Sequence, residues 1–160
     1  MKKLNNPYVN LPKEAGYSCF GCSPSNSHGL KMEFFEEGDE ILSFWNPEKK
    51  FEGYLNVLHG GIQATLIDEI ASWVVFVKLK TGGFTSDLQV KYNKSVLIDK
   101  GRITLRASLR EMEKNMAHIQ VSLYDGDNNL CSEGVAIYFT LPEKIAINKM
   151  KYPGIDSFYE

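Results

Sequence analysis

The chain has no excess of charge of either sign: 18 lysines and arginines stand against 20 aspartates and glutamates, a formal net charge of −2. A protein that grips nucleic acid by neutralising phosphates shows a marked basic excess, so nucleic acid is not an expected partner. Cysteine is scarce and odd in number, three in all, which fits free thiols in a reducing compartment better than a disulfide framework. Nowhere does the sequence hold the roughly 18 uninterrupted apolar residues of a membrane span. Met1-Lys2-Lys3 runs on into Asn5-Asn6-Pro7-Tyr8 without the apolar core of a signal peptide, so the expected location is cytoplasmic. Internal repeats and low-complexity linkers are also missing. What remains is 160 residues, 43% apolar and 24% charged, enough for one domain with a real core.

The texture divides the chain in three. Residues 1–29 are rich in Pro, Asn, Gly and Ser and read as an irregular arm. Residues 30–141 carry the periodic patterns of a folded domain, and 142–160 form a polar tail expected to wrap the surface. Leu30, Met32 and Phe34 alternate with Lys31, Glu33 and Phe35, a strand pattern, and Ile41 to Trp45 predicts its hairpin partner. Residues 61–80 place Ile62, Leu66, Ile70, Trp73 and Val77 with other apolar residues on nearly every side of a helix, which must therefore be surrounded by protein. Gly82-Gly83 is the expected stop. Strands follow over Phe84–Tyr92, 101–112, 116–124 and Leu130–Leu141, each alternating with period two. The predicted fold is α+β: an antiparallel sheet of about six strands wrapped around one long buried helix. Such a sheet leaves edges and part of the helix uncovered, so a homodimer or a dimer of dimers is expected.

The helix carries few polar groups, and Thr65, Asp68, Glu69 and Ser72 share one stripe by steps of three and four. A carboxylate on so apolar a helix is costly unless paired or used. Asp68 lies about two turns in from Gly61, too deep to serve as a cap. Just upstream, His59-Gly60-Gly61 opens the helix, where backbone N–H groups are unpaired and the dipole favours negative charge, the setting for an oxyanion hole.

Leu58-His59-Gly60-Gly61-Ile62 followed by Ala64-Thr65-Leu66-Ile67-Asp68-Glu69 resembles the hotdog-fold thioesterases, in particular their phenylacetic-acid-type acyl-CoA thioesterase branch. Cys19-Phe20-Gly21-Cys22 with Asn26 and Gly29-Leu30 is similar to the arm of one subgroup, and the resemblance covers about residues 17–141. It implies hydrolysis of a small or medium acyl-CoA to free acid and CoA, with no cofactor. By the same resemblance Asp68 is nucleophile or general base, a backbone N–H of Gly60 or Gly61 polarises the carbonyl, and His59 orients it or supports the turn. Thr85, or its neighbour Ser86, is the hydroxyl expected from a partner subunit. Some relatives place an Asn or Gln before the His motif; here Asn56 is the candidate.

Strand parity points the same way. Ser86, Leu88, Val90 and Tyr92 share the apolar face of their strand, which turns Thr85 away from Asp68 of its own chain. Glu69 is the reserve acid, since one step round a helix is about 100°. A metal is not expected: the Cys19/Cys22 pair has only His28 nearby in sequence, with Cys131 far away, and a structural zinc needs four ligands. Arg102, Arg106, Arg110, Lys91 and Lys94 read as solvent-facing strand residues with coenzyme A phosphates as their functional alternative. The competing activities are a non-catalytic acyl-CoA-binding protein and another hotdog enzyme such as a hydratase.

Overall fold

The structure, a computed structural model, describes residues 1–159. Its centre is helix α1, Gly60–Lys78. His59 caps it: the imidazole Nδ1 accepts the Gly61 N–H at 2.9 Å, satisfying one of the donors a helix start leaves open. Leu66, Ile67, Ile70, Ala71, Trp73, Val74 and Val75 are almost wholly buried. By length and mean hydropathy, 1.3, α1 would pass for a membrane span, yet those side chains are spent on the sheet it packs against.

That sheet has seven antiparallel strands: β1 (Lys2–Lys3), β2 (Phe34–Glu37), β3 (Glu40–Trp45), β4 (Gly83–Tyr92), β5 (Ile103–Glu113), β6 (Met116–Tyr124) and β7 (Leu130–Thr140), in the order β1-β2-β3-β5-β6-β7-β4. The alternation in β5, β6 and β7 puts Leu105, Ala107, Ile119, Val121 and Ala136 in one core with α1. At Gly134 on β7 an added Cβ would sit 2.5 Å from Ile67 Cγ2, so glycine sets how closely helix and sheet approach. The strand beyond the expected six is β1, which begins the arm and pairs with β2.

Four details depart from the sequence expectations. Leu30 and Met32 are buried but not in a strand, because their N–H groups bond to the Phe20 and Gly21 carbonyls of the arm and Lys31 turns left-handed at φ 52°. The helix does not stop at Gly82-Gly83: it ends at Lys78, and Lys80 takes the left-handed turn at φ 57°. The two glycines instead permit close approach, Gly82 to Met150 Sδ and Gly83 to the Phe139 carbonyl. The tail is no mere surface wrap. It forms α2, Glu143–Met150, and then drives Tyr152 and Phe158 into the core. Phe158 meets Trp73 edge-on at 5.5 Å, and Tyr152 donates its hydroxyl to the Phe76 carbonyl at 2.8 Å. Apolar residues spaced six apart in a polar stretch show no period, which is why the pattern concealed them. The fourth departure, a bulge in β4, bears on the candidate site.

Candidate active site

Asp68 is half-buried on the side of α1 that faces β4 and β7. Its Oδ1 accepts two hydroxyls, Tyr138 at 2.7 Å and Thr85 at 2.9 Å, and Tyr138 reaches the Asp68 carbonyl as well at 2.8 Å. Both donors come from neighbouring strands, and Thr85 and Tyr138 are paired across the β4–β7 ladder. Burial, then the Asp68 charge, pushes the Tyr138 phenol well above its ordinary value, so it stays a neutral donor.

The expectation that Thr85 points away from its own Asp68 is therefore corrected. The register of β4 against β7 slips between Thr85 and Asp87, a bulge with Ser86 as the extra residue. One inserted residue reverses the side-chain parity upstream of it. Thr85 thus shares the inward face with Leu88 and Val90, and the hydroxyl at Asp68 is in cis. Ser86 occupies the bulge and is exposed. Tyr138 was not among the sequence candidates, being seventy residues from Asp68. The signal was present in its position: a tyrosine on the inward face of a strand needs a hydrogen-bond partner for its hydroxyl.

At the start of α1 the two candidate N–H donors differ. The Gly61 N–H is taken by His59 Nδ1. Among the described residues the Gly60 N–H has no partner, which leaves it as the donor available to an incoming oxygen. Since Nδ1 accepts, neutral His59 carries its proton on Nε2, a second donor on an exposed ring. The Tyr92 hydroxyl holds the Gly60 carbonyl at 2.7 Å, bracing the turn from the far end of β4. A cavity of about 470 Å³ opens here, lined by Glu52, Gly53, Tyr54, Leu58, His59 and Gly60.

Asn56 turns left-handed at φ 61°, and its side-chain carbonyl accepts the Asp99 N–H at 3.1 Å; that side chain pins one loop to another. Arg106 pairs with Glu40 and Glu37, which occupies the most central of the candidate phosphate-binding arginines.

Glu69 faces elsewhere, toward the arm. Its Oε1 lies 3.5 Å from Cys19 Sγ, which in turn lies 3.5 Å from Cys22 Sγ. Burial, then the Cys19 charge, pushes the Glu69 carboxyl up to about 8. The Cys22 thiol hydrogen bond, against the opposing effect of burial, brings Cys19 down to about 5, and the same pairing raises Cys22. Asp68 and Glu69, which the sequence joins, are thus divided by the fold between two environments.

Comparison with known proteins bears on this arrangement. The sequence model of the thioesterase superfamily matches residues 55–132, which contain the His59 turn, Asp68, Thr85 and most of the sheet. A protein of Saccharolobus solfataricus named as an inferred esterase is 27% identical over 119 residues, covering 74% of this chain and 77% of its own. A solved structure from the thioesterase superfamily is 25% identical at a TM-score of 0.64, covering 75% of this chain and 90% of that one. A Streptococcus mutans protein solved with acetyl-CoA bound shares the fold at a TM-score of 0.64 and 16% identity, covering 70% of this chain and 90% of that one. The matched segment, just under half of the chain, is similar to the thioesterase superfamily, and the sheet order around α1 together with these neighbours shows the hotdog fold.

Proposed function

We propose that this protein is a thioester hydrolase that acts on acyl-CoA, with Asp68 as the acid at the reacting carbon. The observation that carries the reading is the Asp68 carboxylate, held through Oδ1 by Thr85 and Tyr138, with Oδ2 free of the hydroxyl pair. Fixed on one oxygen, it serves either as nucleophile or as general base toward water. In the second route Asp68 takes the water proton as the water oxygen bonds to the acyl carbon. The oxyanion collapses, the C–S bond breaks and the leaving thiolate receives a proton. The acetyl-CoA bound by the Streptococcus mutans neighbour supports coenzyme A as the carrier.

The oxyanion donor is the Gly60 N–H, and it belongs to a second copy. Gly60 and Asp68 are eight residues apart on one helix, about 12 Å along its axis. One carbonyl within roughly 3 Å of each group does not bridge that span. A homodimer that brings the Gly60 turn of one chain to Asp68 of the other closes it. The free edge of β4 with Phe84, Tyr92 and the neighbouring Phe139 exposed is the surface such pairing would cover. Asp68, Thr85 and Tyr138 then come from one chain and Gly60 with His59 from its partner.

The test combines two inactive variants, after wild type has been shown to release thiol from a panel of acyl-CoAs. Gly60→Pro deletes the N–H while suiting the first position of a helix, and Asp68→Asn removes the acid. Co-expressed, the two chains form hybrid dimers with one intact site in two, and about one quarter of wild-type thiol release should return. No recovery would place the whole site in one chain. Binding of acyl-CoA without release by wild type would replace hydrolysis with a sensing role.

A further inference from the structure

Two sulfurs and a carboxylate from distant parts of the chain meet beside α1, away from the Asp68 hydroxyl pair. Cys19 Sγ is 3.5 Å from Cys22 Sγ and 3.5 Å from Glu69 Oε1, and all three atoms lie within 4.8 Å of one another. A tetrahedral zinc ion with bonds of about 2.3 Å to sulfur and about 2.0 Å to oxygen separates its ligands by about 3.8 Å for two sulfurs and about 3.5 Å for sulfur and oxygen. Two edges of the triangle already have these lengths to within a few tenths of an ångström. The third, between Cys22 Sγ and the Glu69 carboxylate, is no longer than 4.8 Å.

The surroundings resemble a support for metal-bound sulfur. The Cys22 N–H donates to Cys19 Sγ at 3.4 Å, Asn6 Nδ2 donates to Cys22 Sγ at 3.6 Å, and the Tyr17 hydroxyl lies 3.2 Å from that same sulfur. Such partners orient thiolate ligands and temper their charge. Between the cysteines, Gly21 sits so close to the acid that an added Cβ would fall 2.4 Å from the Glu69 carboxyl. The glycine is what lets the loop lay both thiols over Glu69. A cavity of about 440 Å³ borders Cys19, Cys22, Glu69 and Ser72 and leaves room for one more ligand.

We propose that Cys19, Cys22 and Glu69 bind one zinc ion, with water or another small ligand in the fourth position. Mixed sulfur and oxygen donors at tetrahedral spacing favour zinc; magnesium and calcium take oxygen ligands in larger numbers. Each thiol that binds releases its proton to solvent. The ion would tie the arm to α1 one residue from Asp68, fixing the helix face on which the acid is displayed.

The experiment uses the full chain, reduced with a phosphine and stripped with a chelator, then titrated with Co²⁺ as the probe. The expected result is a sulfur-to-cobalt charge-transfer band with strong visible absorption, saturating at one ion per chain and abolished by Zn²⁺. The double variant Cys19→Ser, Cys22→Ser should lose both bands, and Glu69→Gln should weaken binding roughly tenfold or more. A measurement on wild type alone guards against variants that fold poorly: iodoacetamide labelling with and without Zn²⁺, mapped by mass spectrometry. Zinc should slow labelling of Cys19 and Cys22 relative to buried Cys131. The same cobalt spectrum in the double variant, or labelling of Cys19 unchanged by zinc, would overturn the proposal.

Discussion

Asp68 looks out to the β4–β7 edge, where two hydroxyls hold one of its oxygens, while Glu69, about 100° further round α1, lies under the arm against two thiols and a glycine. The residues are neighbours in the chain with similar chemistry. What separates them is one helical step and the elements that step faces. Hydroxyls at the sheet edge support a carboxylate that remains open to an incoming molecule. The arm, by contrast, encloses Glu69 and raises its carboxyl to about 8. Two adjacent carboxylates thus sit side by side in different surroundings, one among hydroxyls and the other among thiols.

The largest expected effect comes from exchanging the two acids. Asp68→Asn should lower kcat by about 10³-fold, within the usual span for a lost acid–base group, whereas Glu69→Gln should stay within about tenfold of wild type. Thiol release at saturating acyl-CoA measures both, and equal losses would erase the distinction. Tyr138→Phe removes the shorter of the two hydroxyl bonds. We expect kcat to fall about 10- to 100-fold, with a stability loss near 1 kcal/mol by thermal or urea unfolding. Replacing the other hydroxyl tests the bulge: Thr85→Ala should reduce kcat about tenfold, and Ser86→Ala should leave it unchanged. A reversed pair of outcomes would restore the unbulged register. The smallest effect on turnover belongs to the Glu69 side, where Gly21→Ala should cost about 1–3 kcal/mol of stability through overpacking. Its kcat should change little, and a large loss of kcat with stability intact would mean the two sides are coupled.

Legibility in the sequence followed periodicity. The long apolar helix and the strands Met116–Tyr124 and Ile103–Glu113 were readable because each side chain that must be buried recurs at the element's own period. His59-Gly60-Gly61 and Asp68 stood out for a related reason, as polar or bare positions in an apolar run. The bulge at Ser86 left no mark, since no glycine signals it and parity counted straight through gives the opposite face for Thr85. Leu30 and Met32 alternated like a strand although their backbone partners belong to the arm.

By itself the sequence determined that one apolar helix must be enclosed by alternating strands, and that an acid lies about two turns inside a glycine-opened helix start. Both follow from local rules of spacing and burial. Only the tertiary structure decided which groups meet that acid. Tyr138 and Thr85 reach Asp68 across 70 and 17 residues, and Cys19 reaches Glu69 across 50. Those contacts depend on strand order, a one-residue slip in register and the path of the arm, and no local pattern encodes them. The same physics makes the helix predictable and its neighbours not: burial constrains each element's own period, while the identity of what it is buried against is set by the fold as a whole.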